Sequence, residues 1–259
     1  MATECNNPRV IDNTGQGARF YRKRVLGSGL VSFQVACQET DLMVRADHLL
    51  VEETREYVLE CRGHIEGYIR RYPEFAATLT PWQEPSMAPE IVRRMIHAGH
   101  AAGVGPMAAV AGAIAETVGR HLLHDSRQVV VENGGDIFLK TDKEVVVGLF
   151  AGGSPLSLKV GVRLTGSGDG IGVCTSSGTV GHSLSTGRAD AVCVISHSCA
   201  LADAAATAIG NRIRSPEHCQ AAIDFGRRID GIRGIVTVIG HHMAAWGELA
   251  LVPLEGKKG

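Results

Sequence analysis

The sequence lacks the hydrophobic segments that mark membrane proteins and secreted proteins. No stretch of its 259 residues approaches the roughly 18 uninterrupted apolar residues that are needed to span a bilayer. The polar leader at residues 1–16 has no apolar segment typical of a signal peptide. We therefore expect a cytoplasmic protein with no membrane partner, and we interpret residues 255–259 as a solvated tail.

An excess of charge and a pattern of paired cysteines are also missing. The 26 Lys and Arg residues nearly balance the 27 Asp and Glu residues, so no strong field would hold a phosphate backbone and no nucleic-acid partner is expected. The seven cysteines are scattered and never form a CxxC pair. This usage is typical of reduced, buried thiols, and it argues against a disulfide framework or a zinc knuckle.

The chain does contain enough apolar residues for a full core. Hydrophobic residues make up 44% of the sequence, and its length lies at the upper edge for one domain. No internal repeat, linker or low-complexity block divides it. We therefore predict one domain over residues 1–259, built from two packed layers.

The hydrophobic pattern predicts an α+β fold with a mostly antiparallel sheet packed against helices. Near-alternation predicts strands at 20–26 and 30–45, and helical spacing predicts a long helix at 47–71 that ends before Pro73. Further helices are expected at 89–102, 107–124, 199–213 and 216–229. Short apolar runs between turns predict strands at 128–132, 136–140, 144–150, 156–164, 171–175, 189–195, 234–239 and 248–254.

Two glycine-containing segments could bring backbone close to a ligand. The small residues at 104–113 open a helix, where exposed N–H groups attract an anion, although tight helix packing also explains them. The segment at 132–136 contains Gly134 and Gly135 between two strands. These glycines fit a hairpin with positive φ, and they also fit backbone amides that touch a phosphate.

A third segment pair offers oxygen ligands. The segment at 174–178 ends a strand, and the helix that follows carries Asp203 and Thr207 four residues apart, so that their oxygens share one face. A carboxylate among alanines is costly to bury without a partner, and Mg²⁺ is one such partner. An Asp near a helix N-terminus that interacts with the helix dipole explains the spacing equally well.

Together these segments resemble the ApbE family of flavin transferases, which move FMN from FAD to a Ser or Thr of a target protein. The order matches: a small-residue helix start, a Gly-Gly-Asp turn, a Thr-Ser-Gly strand end and an A-D-A-x-A-T helix. The resemblance implies that Asp203 and Thr207 bind Mg²⁺, joined by a backbone carbonyl near Ala108. It implies a cofactor site formed by Gly105, Gly134, Gly135, Asp136, Thr175, Ser176, Ser177, Gly178 and His182.

The resemblance implies FAD or FMN as cofactor, a small-molecule diphosphate ligand and FMN transferase-like activity. An alternative from a different class stays open: a non-catalytic flavin- or nucleotide-binding protein, or an oligomeric scaffold, of the same fold. It is favoured by Ala109 and Val110, which stand where the family carries a lysine. A homo-oligomer is compatible with both hypotheses.

Two further patterns are weighed against these hypotheses. The pairs His97 with His100 and His121 with His124 each lie on one helix face, which would suit a four-histidine metal site, but surface or interface histidines explain them better because no carboxylate recurs at matching spacing. The segment at 181–185 falls one glycine short of the G-x-S-x-G nucleophile elbow. We expect neither a structural metal nor a serine hydrolase.

Overall fold

The computed structural model describes residues 9–10, 25–26, 29–83, 87–164, 168–177 and 187–254, which form helices and antiparallel strands. The helices are α1 (Val51–Arg71), α2 (Glu74–Ala77), α3 (Glu90–Ala102), α4 (Val110–Leu122), α5 (Cys199–Gly210) and α6 (His218–Gly226), with a 3₁₀ turn at Pro106–Ala109 before α4. The strands are β1 (Arg9–Val10), β2 (Val25–Leu26), β3 (Val31–Cys37), β4 (Thr40–Ala46), β5 (Val129–Asn133), β6 (Asp136–Lys140), β7 (Val145–Gly148), β8 (Val160–Leu164), β9 (Ile171–Ser176), β10 (Ala191–Ser196), β11 (Ile232–Ile239), β12 (His242–Gly247) and β13 (Ala250–Pro253).

The strands form two sheets, and the antiparallel prediction is confirmed. The larger sheet has nine strands in the order β1-β3-β4-β5-β6-β9-β10-β11-β12, and the smaller has the order β13-β8-β7-β2. Every described strand pair is antiparallel. Short turns join β3 to β4, β5 to β6 and β11 to β12, whereas the chain between β4 and β5 and between β10 and β11 contains the helices.

The larger sheet is covered on both faces, so the prediction of two layers is wrong. On β5, Val129 and Val131 pack in the core beneath the helices, whereas Val130 packs with the smaller sheet. Successive side chains of a strand point to opposite faces, so a strand that is apolar at every position fits between two apolar layers. The molecule therefore has three layers: helices, a nine-stranded sheet and a four-stranded sheet.

The helices follow the sequence pattern closely. The α1 helix buries Val58, Cys61 and Ile65 at helical spacing, and α3 ends at Gly103, whose φ of 73° is left-handed. The predicted helix at 107–124 is divided, because the chain first makes the 3₁₀ turn that begins at Pro106.

The sequence pattern missed two strands, β1 within the predicted polar leader and β12 near the end of the chain. The β12 strand lies at the edge of the larger sheet, most of its residues are exposed, and it carries two alanines, Ala244 and Ala245, that give little alternating signal. The two final strands predicted from sequence are therefore three.

The cysteines mostly behave as small core residues. Five of them are free thiols and buried, as predicted: Cys61, Cys174, Cys193, Cys199 and Cys219. Cys37 differs because it is disulfide-bonded, so the prediction of reduced thiols does not hold for it.

Within the described ranges, no single helix is long and apolar enough to cross a membrane. The α3 helix and the segment Pro106–Leu122 meet that criterion only as a pair, with a bend of 105° between them.

Candidate functional site

The first turn of α4 and the middle of α5 meet around Asp203. Asp203 accepts a hydrogen bond at Oδ2 from the Gly112 N–H at 2.9 Å. A Cβ at position 112 would lie 2.4 Å from the Cys199 carbonyl oxygen and 2.9 Å from the Asp203 Cβ, so only glycine permits this approach. The backbone at the start of α4 is therefore in direct contact with the carboxylate of α5.

The turn between β5 and β6 lies next to the start of α4, on the side of the site that faces the larger sheet. Gly134 and Gly135 have φ values of 65° and 117°, which are left-handed and suit a tight hairpin. Before the turn, Asn133 donates from Nδ2 to the Ala111 carbonyl at 3.1 Å. The turn is thereby attached to the first turn of α4, and Asp136 after it lies beside Cys174 of β9.

Two carboxyl groups, the buried Asp136 and the half-buried Asp203, interact at this junction. Burial raises the pKa of Asp136 to about 7, and the charge of Glu132 acts in the same direction, against hydrogen bonds from the Cys174 thiol and the Thr175 backbone. Burial, and next the charge of Asp136, raise the pKa of Asp203 well above its ordinary value. Two such carboxylates need a proton or a cation to be stable together.

A pair of thiols lies directly beneath these carboxyl groups. The Sγ atoms of Cys174 and Cys199 are 3.4 Å apart, and the Cys174 thiol donates to the Cys199 carbonyl at 3.3 Å. Burial raises the pKa of Cys199 to about 11 and that of Cys174 well above its usual range. These thiols stay protonated and pack as core groups, since only a thiolate is an effective nucleophile.

The end of β9 divides the predicted Thr-Ser-Gly segment between two faces of the sheet. Thr175 pairs with Cys193, which packs toward the smaller sheet, and the two side chains are hydrogen-bonded. Cys174 packs on the helix face, and Ser176 follows on that face because strand side chains alternate. Ser177 is half-buried, while Gly178 and His182 lie outside the described residues.

Two other predicted site residues have distinct environments. The Gly105 N–H donates to the Leu79 carbonyl at 2.9 Å, and a Cβ at position 105 would lie 1.9 Å from the Thr78 carbonyl oxygen. Close packing therefore accounts for this glycine. Thr207 is 8% exposed. It lies one turn after Asp203 on α5, so the two side chains share one helix face.

Glu116 is also part of this region, and only a weak sequence signal marks it. Its Oε2 accepts hydrogen bonds from the Cys199 N–H at 2.8 Å and from the Ser198 hydroxyl at 3.2 Å, so it satisfies a free donor at the start of α5. Its Oε1 accepts from Arg120 Nε at 3.0 Å. The i, i+4 spacing of Glu116 and Arg120 is the only signal in the sequence, and it is common on exposed helices.

The paired histidines are engaged separately. The His100 ring is hydrogen-bonded to the Trp82 carbonyl at 2.6 Å, and His121 stacks on Tyr57 with ring centres 4.4 Å apart. In the part of the chain that the structure describes, no group of three or more His, Cys, Asp or Glu side chains is placed to hold a metal ion. A cation at Asp203 would therefore need most of its ligands from elsewhere.

Comparison with known proteins shows a family and close relatives. The family described as AbpE bacteria matches residues 22–232. A protein of Methanococcus aeolicus named UPF0280 protein is 39% identical over 226 residues, covering 85% of this chain and 91% of that protein. A UPF0280 protein of Methanocella arvoryzae is 44% identical over 213 residues, covering 82% and 86% of the two chains.

Two solved structures of flavin transferases have a fold similar to that of this chain. The apo crystal structure of Pseudomonas stutzeri flavinyl transferase ApbE has a TM-score of 0.55 and 15% identity, covering 84% of this chain and 94% of that one. Flavin transferase ApbE from Vibrio cholerae has a TM-score of 0.51 and 14% identity, covering 84% and 96%. At such identities the likeness shows the fold, which confirms the predicted fold class.

Proposed function

The chain belongs to the AbpE bacteria family, and from that premise we propose that it binds a flavin or adenine nucleotide diphosphate together with Mg²⁺ at Asp203. The observation that carries the proposal is the pairing of the buried Asp136 with the half-buried Asp203, whose negative charges repel each other beside the backbone of α4. A divalent cation removes this repulsion, and it also attracts phosphate oxygens.

The donor atoms at the site fit a hard cation. Asp203 would supply a carboxylate, Thr207 a hydroxyl on the same face of α5, and the 3₁₀ turn before α4 a backbone carbonyl near Ala108. Mg²⁺ prefers oxygen ligands and is usually held by one or two carboxylates, with phosphates and water completing its shell. The scarcity of other protein ligands is therefore compatible with Mg²⁺ held jointly by protein and nucleotide.

The phosphates would lie against backbone N–H groups. The turn at Gly134 and Gly135 has no side chains, so a ligand can approach its amides closely. When bound, the cation would neutralise charge on the diphosphate and on the phosphoryl group under attack. The protein's own contribution is to position the diphosphate against rigid donors.

The reaction that we propose is flavin transfer, in keeping with the flavin transferases that share the fold. The oxygen of an acceptor hydroxyl forms a bond to the phosphorus of the FMN half of FAD. The anhydride bond breaks, AMP leaves with its electron pair, and the proton of the hydroxyl is released. If water is the acceptor, the products are FMN and AMP.

A second candidate function is favoured by the start of α4. Ala109 is fully buried and Val110 is half-buried, and neither can supply a cation to a developing negative charge. Losing one such cation from a water-excluded site costs on the order of 10² to 10³ in rate. The protein would then bind the nucleotide and turn it over slowly or not at all, as a carrier or scaffold.

Titration calorimetry with FAD, ADP and FMN, with and without Mg²⁺, tests the binding proposal, and chromatography for AMP and FMN tests transfer. We expect Mg²⁺-dependent binding that is lost in Asp203→Asn. Asp224→Asn is a matched control, because Asp224 is also a helix carboxylate but pairs with Arg227 on α6. Binding without AMP release supports the second candidate, and no binding at millimolar concentration rejects both.

A further inference from the structure

A cavity lies between α1, the first turns of α3 and the second half of α4. Its volume is about 260 Å³. It is separate from the junction at Asp203, which contacts the first turn of α4. The facing surfaces of α1 and α4 carry polar residues at helical spacing here, including His64, Thr117 and His121.

Two guanidinium groups from different helices form one wall of this cavity and are held in place. Arg120 is fixed by Glu116 at 3.0 Å and lies over the Phe138 ring at 5.5 Å. Arg94 lies 3.7 Å from the same Glu116 carboxylate and 3.1 Å from Glu90. Because a buried carboxylate orders both guanidinium groups, little conformational entropy would be lost when they bind an anion.

The hydroxyl of Thr117 is buried at the cavity wall and has no hydrogen-bond partner among the residues that the structure describes. A threonine within a helix usually donates to the carbonyl four residues earlier, as Thr54 does to Leu50 at 2.6 Å. A buried polar atom left unpaired is costly, so a ligand group that accepts a hydrogen bond from Thr117 would remove this cost.

The remaining walls are flat and partly apolar. The Tyr57 and His121 rings stack at an angle of 16°, and Ile91 and Cys61 line the cavity nearby. An aromatic body packs well against such surfaces. Two carboxylates, Glu60 and Glu90, also line the cavity, and Glu90 is already paired with the arginines of α3.

We propose that this cavity is a binding site for a small aromatic anion whose carboxylate or phosphate group is held by Arg94, Arg120 and Thr117. The charged group would accept hydrogen bonds from both guanidinium groups and from the Thr117 hydroxyl, and the ring would pack toward Tyr57. The proposal does not depend on nucleotide binding at Asp203.

Titration of the full-length protein with benzoate and with phenyl phosphate, followed by ligand-observed NMR, tests this site and distinguishes the two anionic groups. We expect saturable binding of at least one probe, weakened about tenfold or more in Arg94→Gln, since one charge-assisted hydrogen-bonding group is lost. Thr117→Val, which keeps the shape of the side chain, is expected to weaken binding several-fold.

Arg93→Gln is the matched control. Arg93 is adjacent to Arg94 and also pairs with Glu90, but it does not line the cavity. Binding should be unchanged in this variant. Equal losses in Arg93→Gln and Arg94→Gln would show non-specific attraction to the surface and overturn the proposal. Failure of both probes to saturate the folded wild-type protein would also overturn it.

Discussion

Replacing Asp136 by asparagine is expected to stabilise the protein most above pH 7, and progressively less as the pH falls toward the ordinary pKa of the carboxyl group. The folded-state pKa of Asp136 is about 7, compared with an ordinary value of 3.8. Between these values the folded protein holds a proton that the unfolded chain releases. The free energy of unfolding therefore falls as pH rises through this window, and above it the full loss persists.

The size of the effect follows from the difference between a pKa of about 7 and the ordinary value of 3.8, which corresponds to at most about 4 kcal/mol. Coupling to Asp203 divides the effect between two groups, so we expect a gain of about 2 kcal/mol or more in Asp136→Asn at pH 8. Asparagine resembles the protonated acid in shape, and its oxygen can still accept hydrogen bonds from Cys174 and Thr175.

Urea unfolding of the wild-type protein and the variant at pH 5 and pH 8, with a chelator present, measures the difference. Asp142→Asn is the control, because Asp142 is exposed. If the cation binds as proposed, added Mg²⁺ is expected to raise the free energy of unfolding of the wild-type protein at pH 8. An Asp136→Asn variant that is less stable than the wild-type protein at pH 8 would refute the assignment of a raised pKa.

Three further predictions concern the support of the site and the reactivity of the thiols. Glu116→Gln should lower the free energy of unfolding, measured by urea unfolding, by about 2 kcal/mol or more, because the buried carboxylate that caps α5 and binds Arg120 loses its charge. An unchanged free energy of unfolding would contradict the capping role of Glu116. Gly112→Ala should lower the free energy of unfolding by about 1–3 kcal/mol in the same assay, since the added Cβ would lie 2.4 Å from a backbone carbonyl oxygen. Gly63→Ala is the control, because nothing lies within 4 Å of the Cβ position there. Burial raises the pKa of Cys61 and Cys193 to about 12. Mass spectrometry should therefore find neither thiol alkylated by iodoacetamide in the folded protein and both alkylated after unfolding. Rapid labelling in the folded state would contradict this prediction, because it would show that the thiols are accessible.

Part of the candidate site could be predicted from sequence because its signals are local. The Gly-Gly pair before Asp136 specifies a hairpin whatever surrounds it, since left-handed φ values favour glycine. The spacing of Asp203 and Thr207 places both on one face of any helix that contains them. The single domain, the cytoplasmic location, the homo-oligomer and the metal role of Asp203 stay predictions.

The sequence by itself determined the order and type of most elements, because helical and alternating apolar periods are properties of a short segment. It also determined which short motifs could approach a ligand. Only the tertiary structure decided that Asp136 and Asp203 interact, since residues 67 positions apart meet through the packing of α5 on the sheet. It likewise decided that Thr175 faces the smaller sheet and that Glu116 caps α5. These roles depend on burial and on contacts between residues that are distant in sequence, and the spacing of neighbouring residues determines neither.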